Sequence, residues 1–187
     1  MREVNTIDIN YIPKIHAYST NFWKSTTGTP TYDSGTASLF VNAAEMTSLF
    51  TVNTKNGGAI RMEVKVPTAP ATGDVRKFGF RNPGTTEGIF FDITDAVFGA
   101  FVAYPSGESE FSPITWIAGW TDTNTVFEIV LNGNKAQFYI GGTLLKTIDI
   151  EQNMFPLPVS FENQETNNMA VKQVTLLGVE AFNPISP

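Results

Sequence analysis

Apolar and polar residues alternate along most of this chain, and the clearest stretch runs from Thr125 to Ile150. Three short apolar runs are separated there by Asn132-Gly133-Asn134 and by Gly141-Gly142. Asparagine and glycine tolerate the positive φ of tight hairpin turns, so the pattern predicts a three-stranded antiparallel meander. From Ala59 to Val66 the alternation is equally plain. Ile60, Met62, Val64 and Val66 share one face and Arg61, Glu63 and Lys65 the other, which predicts a strand with one wet face.

The same reading places strands at Ala37–Val41, Val75–Arg81, Gly88–Ile93, Ala96–Tyr104, Ile114–Trp120, Val159–Asn163 and Met169–Phe182. Residues Ala43–Phe50 fit either one helical turn or the approach to a strand. Asn56-Gly57-Gly58, Asn82-Pro83-Gly84 and Pro105-Ser106-Gly107 read as turns, and Phe155-Pro156-Leu157-Pro158 as a strand break. No segment keeps a helical period over ten or more residues. About twelve short strands with turn signals between them predict an all-β chain folded as an antiparallel β-sandwich.

Residues 1–35 are less regular and predict either a first strand with a long loop or an amino-terminal arm. In the arm reading Tyr11, Tyr18, Phe22 and Trp23 dock on a neighbouring subunit. Residues 36–187 form the sandwich domain. The chain has 187 residues, enough for a sizeable core.

Composition narrows the function classes. Net charge is −6 with no basic run, which argues against nucleic acid and against anionic membrane surfaces. Only 16% of residues are charged, so Thr, Asn, Ser and Gln must supply much of the polar surface, as suits exposed strands and subunit contacts. There is no cysteine, and hence no disulfide or thiolate metal site. The start lacks the apolar core of a signal peptide and no stretch reaches membrane-span length, which predicts cytoplasmic synthesis.

The order of pieces in the second half resembles the concanavalin A-like lectin/glucanase jelly roll. The resemblance rests on Gly79-Phe80-Arg81, Gly88-Ile89-Phe90-Phe91, Phe127-Glu128-Ile129-Val130, the hairpin Lys135 to Leu145, and Pro156-Leu157-Pro158 followed by Val159 to Asn163. It covers roughly residues 75 to 182 and speaks to fold rather than function. The arrangement also looks like lectin-like domains on phage and virus particles. That implies a non-enzymatic decoration, spike or fibre-type subunit at the virion surface, with other protein subunits, as a homo-oligomer, for partners.

Catalytic chemistry finds little support. Retaining glycosidases need two carboxylates about 5–5.5 Å apart. Glu108 and Glu110 have strand spacing but read as a solvated turn, Asp92 and Asp95 as strand-end residues, and Glu162 and Glu165 lack a third acid. The single histidine, His16, lies in the irregular first segment, and no Gly-x-Ser-x-Gly elbow exists. No cofactor is expected. A structural calcium would have to use Asp92, Asp95, Asp122 and Asn124, whose spacing matches no EF-hand loop.

Carbohydrate binding by a free-standing lectin or module is the alternative. Sugar sites combine an aromatic platform with amides and carboxylates. Trp116 and Trp120 are four apart on a predicted strand and so share a face, with Tyr104, Asp122 and Asn163 as polar companions. The simpler reading, and the one such a pair favours, is that both tryptophans pack in the core beneath the sheet.

Overall fold

The computed structural model describes residues 23–53, 57–150, 154–177 and 180–182. Tyr11, Tyr18, Phe22 and His16 lie outside the described residues. The described chain is an antiparallel β-sandwich of two sheets. The strands are β1 (Trp23–Thr27), β2 (Thr31–Asp33), β3 (Ser38–Val41), β4 (Ala44–Asn53), β5 (Gly58–Lys65), β6 (Val75–Arg81), β7 (Gly88–Thr94), β8 (Val97–Ala103) and β9 (Ser109–Pro113). They continue with β10 (Thr125–Asn132), β11 (Lys135–Ile140), β12 (Thr143–Asp149), β13 (Leu157–Asn163), β14 (Met169–Leu177) and β15 (Glu180–Phe182).

Sheet A runs β1-β4-β13-β6-β7-β8-β9, with β15 also on β4; sheet B runs β12-β11-β10-β5-β14-β3-β2. Strands distant in sequence therefore lie side by side. Most telling is β14, which enters sheet B between β5 and β3. No helix among the described residues is long and apolar enough to cross a membrane.

The meander is present as β10, β11 and β12, paired Asn132↔Lys135 and Ile140↔Thr143 across its turns. Gly141 and Gly142 both have positive φ, 58° and 80°, as a two-residue primed turn requires. Its inward residues Phe127, Ile129, Leu131, Ala136, Phe138 and Ile140 are buried. They meet Phe78, Phe91 and Phe98 of sheet A. Phe91 sits at the centre of this contact, 5.3 Å from Phe127 and 5.2 Å from Phe138 edge-on, and 5.5 Å from Phe78 stacked. Each ring removed from water contributes on the order of 1.5–3 kcal/mol, before the gain from ring geometry.

Four expectations change. Of Ala43–Phe50, all but Ala43 resolves as part of β4, because Met46 and Ala44 face the core and the strand finds partners on both edges. The long final strand divides. Met169–Leu177 pairs in sheet B, whereas Glu180–Phe182 crosses to pair with β4 in sheet A. Ile114–Trp120 is not a strand: the Ile114 N–H makes a last bond to the Phe98 carbonyl of β8, and the chain then leaves the sheet and closes a single 3-10 turn at Ala118–Trp120. Pro158, expected to break a strand, lies inside β13 where the register against β4 shifts, an irregularity that accommodates proline.

Phe91→Ala should lower unfolding free energy by about 3–5 kcal/mol in urea titration. Val97→Ser, on an exposed side chain, should stay within about 0.5 kcal/mol of wild type.

Candidate functional site

Of the two readings of the aromatic pair, sugar platform or core packing, the ring geometry matches packing. Trp116 and Trp120 meet edge to face, 5.6 Å apart at 90°, and both lean on Phe98 at 5.1 and 6.1 Å. The Trp116 indole Nε1 donates to Thr121 Oγ1 at 3.0 Å. The rings are half-buried and close the sandwich edge, so neither presents a flat face with its neighbour. The two rings share no strand face, because Ala118–Trp120 is a 3-10 turn and not part of a strand.

Tyr104 is also structural in setting. Its hydroxyl donates to the Asp149 carbonyl at 2.9 Å, tying the end of β8 to the end of β12. Trp23 begins β1, is buried, and packs edge-on against Phe161 at 5.8 Å. Asn163 is sealed from solvent. Its Nδ2 donates to the carbonyls of Val41 and Asn167, both at 2.7 Å, and its Oδ1 accepts the Glu165 N–H. The residue thus shapes the loop between β13 and β14 rather than meeting a ligand.

That loop forms one wall of a cleft of about 540 Å³ on the outer face of sheet B. Its construction follows from strand alternation. Leu39 and Val41, Val64 and Val66, and Met169 and Val171 point into the core. Phe40, Lys65 and Ala170 must then point outward, and the register sets Ala170 directly between the other two. Ala170 is the low floor, and Phe40 and Lys65 stand on either side.

A bulge completes the row. Val171 opposes Val64 and Gln173 opposes Glu63, leaving Lys172 as the extra residue, and its side chain lines the cleft. The far wall comes from the chain before β10. A parallel bridge joins Val66 to Thr121, and the Asp122 N–H donates to the Val66 carbonyl at 2.8 Å. Asp122 adopts a positive φ of 54°, and its carboxylate pairs with Lys65 Nζ at 2.8 Å. Thr36, Ser38, Asn124, Asn167 and Asn168 add hydroxyls and amides.

Of the sequence candidates, Asp122 reaches this cleft directly, Asn163 supports it from behind, and Trp116, Trp120 and Tyr104 are not part of its lining. Asp122 and Asn124, considered for calcium, lie in the cleft, whereas Asp92 is on sheet A and Asp95 caps the Gly73 N–H. Among the described residues no group of three or more acidic, histidine or cysteine side chains is arranged for a metal ion. Phe40, Lys65, Ala170 and Lys172 carry no sequence signal as a set, because they come together only through the β3-β14-β5 pairing.

Sheet A holds a second polar group that sequence reasoning missed. Glu45 and Glu162 are opposite one another on β4 and β13, and Arg81 reaches between them. Arg81 Nη1 donates to Glu45 Oε1 at 2.7 Å. Its Nη2 is 2.7 Å from Glu162 Oε2, an ion pair without hydrogen-bond alignment. The guanidinium also lies 5.8 Å from the Phe90 ring centre. All three charged residues are buried. Both carboxylates are held by one cation, so the arrangement is that of a clamp across three strands.

Asp92, expected at a strand end, is in the middle of β7 on the same face. Burial pushes its carboxyl up, opposed by the Thr94 hydroxyl and by the charges of Lys77 and Arg81, and reinforced by Glu162. Glu108 and Glu110 are exposed, Glu110 on the edge strand β9.

No protein-family model and no curated protein sequence matches the chain. Solved structures do. The receptor binding domain of botulinum neurotoxin C/D mosaic serotype superposes with a TM-score of 0.62 at 9% identity, over 86% of this chain and 44% of that one. The botulinum neurotoxin serotype D binding domain gives 0.63 at 10% identity, over 83% and 43%. The binding domain of botulinum neurotoxin DC in complex with SialylT gives 0.62 at 10% identity, over 83% and 42%. The likeness is one of fold. The chain spans less than half the length of these neighbours.

Two measurements check this geometry. Asn163→Ala should cost about 1–3 kcal/mol in urea titration by orphaning the buried Val41 carbonyl. For Asp92 the sign follows from its raised folded-state value. Ionising it costs stability as pH rises from the ordinary value, 3.8, through that raised value. Asp92→Asn should therefore be more stable than wild type at neutral pH, with the gain vanishing in acid, as thermal melts across pH would show.

Proposed function

We propose that this chain is a non-enzymatic, lectin-like binding module of the concanavalin A-like jelly-roll kind, and that the sheet B cleft takes a glycan. One observation carries the reading. A half-buried aromatic, Phe40, stands over a small floor, Ala170, and is ringed by amides, hydroxyls and tethered charges. An aromatic face suits the apolar C–H face of a sugar ring, and Asn124, Asn167, Asn168, Thr36 and Ser38 offer both donors and acceptors to its hydroxyls. The fold neighbours support the same class, being receptor-binding domains, one of them in complex with SialylT.

A second reading concerns the setting. The setting we favour is the surface of a virus or phage particle, as the sequence resemblance implies; assembly as a homo-oligomer is supported by the exposed apolar side chains Val97, Phe111, Ile117 and Leu144 and by the position of β9 at the edge of sheet A. Light scattering that shows only monomer at high concentration would count against it.

The glycan reading is tested on an array followed by titration calorimetry. Phe40→Ala should weaken binding about tenfold or more, a loss of about 1.4 kcal/mol or more. Ala170→Leu, which fills the floor without touching the core, should abolish binding and leave the melting temperature nearly unchanged. Undiminished binding by Ala170→Leu would remove the cleft from consideration.

A further inference from the structure

We infer that the glycan taken by this cleft carries a carboxylate, as sialic and uronic acids do; the inference rests on the glycan reading and narrows it. The chain as a whole is acidic, with a net charge of −6. Against that background two ammonium groups, Lys65 and Lys172, line one cleft with a single carboxylate, Asp122. The guanidinium groups of Arg76 and Arg81, by contrast, are buried and paired elsewhere.

Each lysine is oriented by one acid and keeps further donors. Lys65 Nζ is 2.8 Å from Asp122 Oδ1, and Lys172 Nζ is 3.1 Å from Glu63 Oε1. An ammonium has three N–H donors, so one tether fixes its position and leaves others for a ligand oxygen. Glu63 is not part of the lining, so the carboxylate that holds Lys172 stands outside the cleft and leaves the inward side of the ammonium open to a ligand. The bulge at Lys172 matters here. In a regular strand the residue after Val171 would have a direct partner on β5, whereas as the extra residue it is re-aimed. A neutral sugar could meet this second cation only through hydroxyl oxygens, without an opposite charge of its own. A carboxylate seated beside Lys172, with the ring against Phe40, gains a charge-assisted hydrogen bond and the aromatic contact together.

The experiment compares 3′-sialyllactose and galacturonate oligomers with their carboxyl-reduced counterparts, using calorimetry on the whole chain at low and high salt. Wild type should bind the acidic forms about tenfold more tightly, with the preference shrinking as salt rises. Lys172→Gln should lose the preference while still binding the reduced sugars, and Lys172→Arg should keep it. Lys172 is exposed, so neither variant threatens folding. Equal affinity for acidic and reduced sugars would overturn the carboxylate inference and leave the glycan reading standing. Sodium acetate displacing the sugar as strongly as free acidic glycan would also overturn it, because the site would then take any anion. Binding of neither form would overturn both readings.

Discussion

Val64 and Val66, Met169 and Val171, and Leu39 and Val41 have to face the sandwich interior, and the alternation of a strand then leaves no freedom for their neighbours. Lys65, Ala170 and Phe40 are pushed to the outer face, in line, by the same register that builds the core. A slip of one residue in β14 would put Met169 and Val171 in water and Ala170 in the interior. Core and cleft are therefore one constraint seen from two sides. The register is further held by the buried Asn163, whose amide joins the Val41 carbonyl of β3 to the loop ahead of β14.

Sheet A solves a different problem with different means. Its inner face supplies half of the phenylalanine cluster around Phe91. Its outer face carries charge that is not left to water. Arg81 spans from β6 to Glu162 on β13 and Glu45 on β4, which are strands brought together from distant parts of the chain. A buried ion pair of this kind adds little net stability over apolar packing, but losing one partner is costly, about 3–5 kcal/mol. The clamp thus penalises mispairing of β13 more than it deepens the native state. Arg76 does similar work at the start of β6, holding Thr68 and Asp74 of the connection from β5 while burial pulls its own value down.

How far the sequence reached depended on how local each feature is. The β10–β12 meander was legible because two glycine turns and three alternating runs lie within one continuous stretch. The alternation of Ala59–Val66 was legible for the same reason, and it correctly assigned Lys65 to the wet face. Trp116 and Trp120 misled because spacing of four means a shared face only if a strand exists, and nothing in Ile114–Trp120 shows that it lacks a partner strand. The setting of Asp92 is not legible because a carboxylate near a strand end usually is solvated, whereas its burial and the charges of Lys77, Arg81 and Glu162 come from strands paired at a distance. The cleft was illegible for the same cause. Its residues are gathered from around positions 36–40, 65–67, 122–124 and 167–172, and Phe40 reads in isolation as one more apolar strand residue.

The glycan site we propose lies on the outer face of sheet B and not along the tryptophan edge. Backbone amide shifts in a two-dimensional NMR titration with 3′-sialyllactose test it most directly. Perturbations concentrated at Phe40, Lys65, Asn124, Asn168, Ala170 and Lys172 are the predicted result. Perturbations concentrated at Trp116, Trp120 and Tyr104, with the β3-β14-β5 row unchanged, would contradict it.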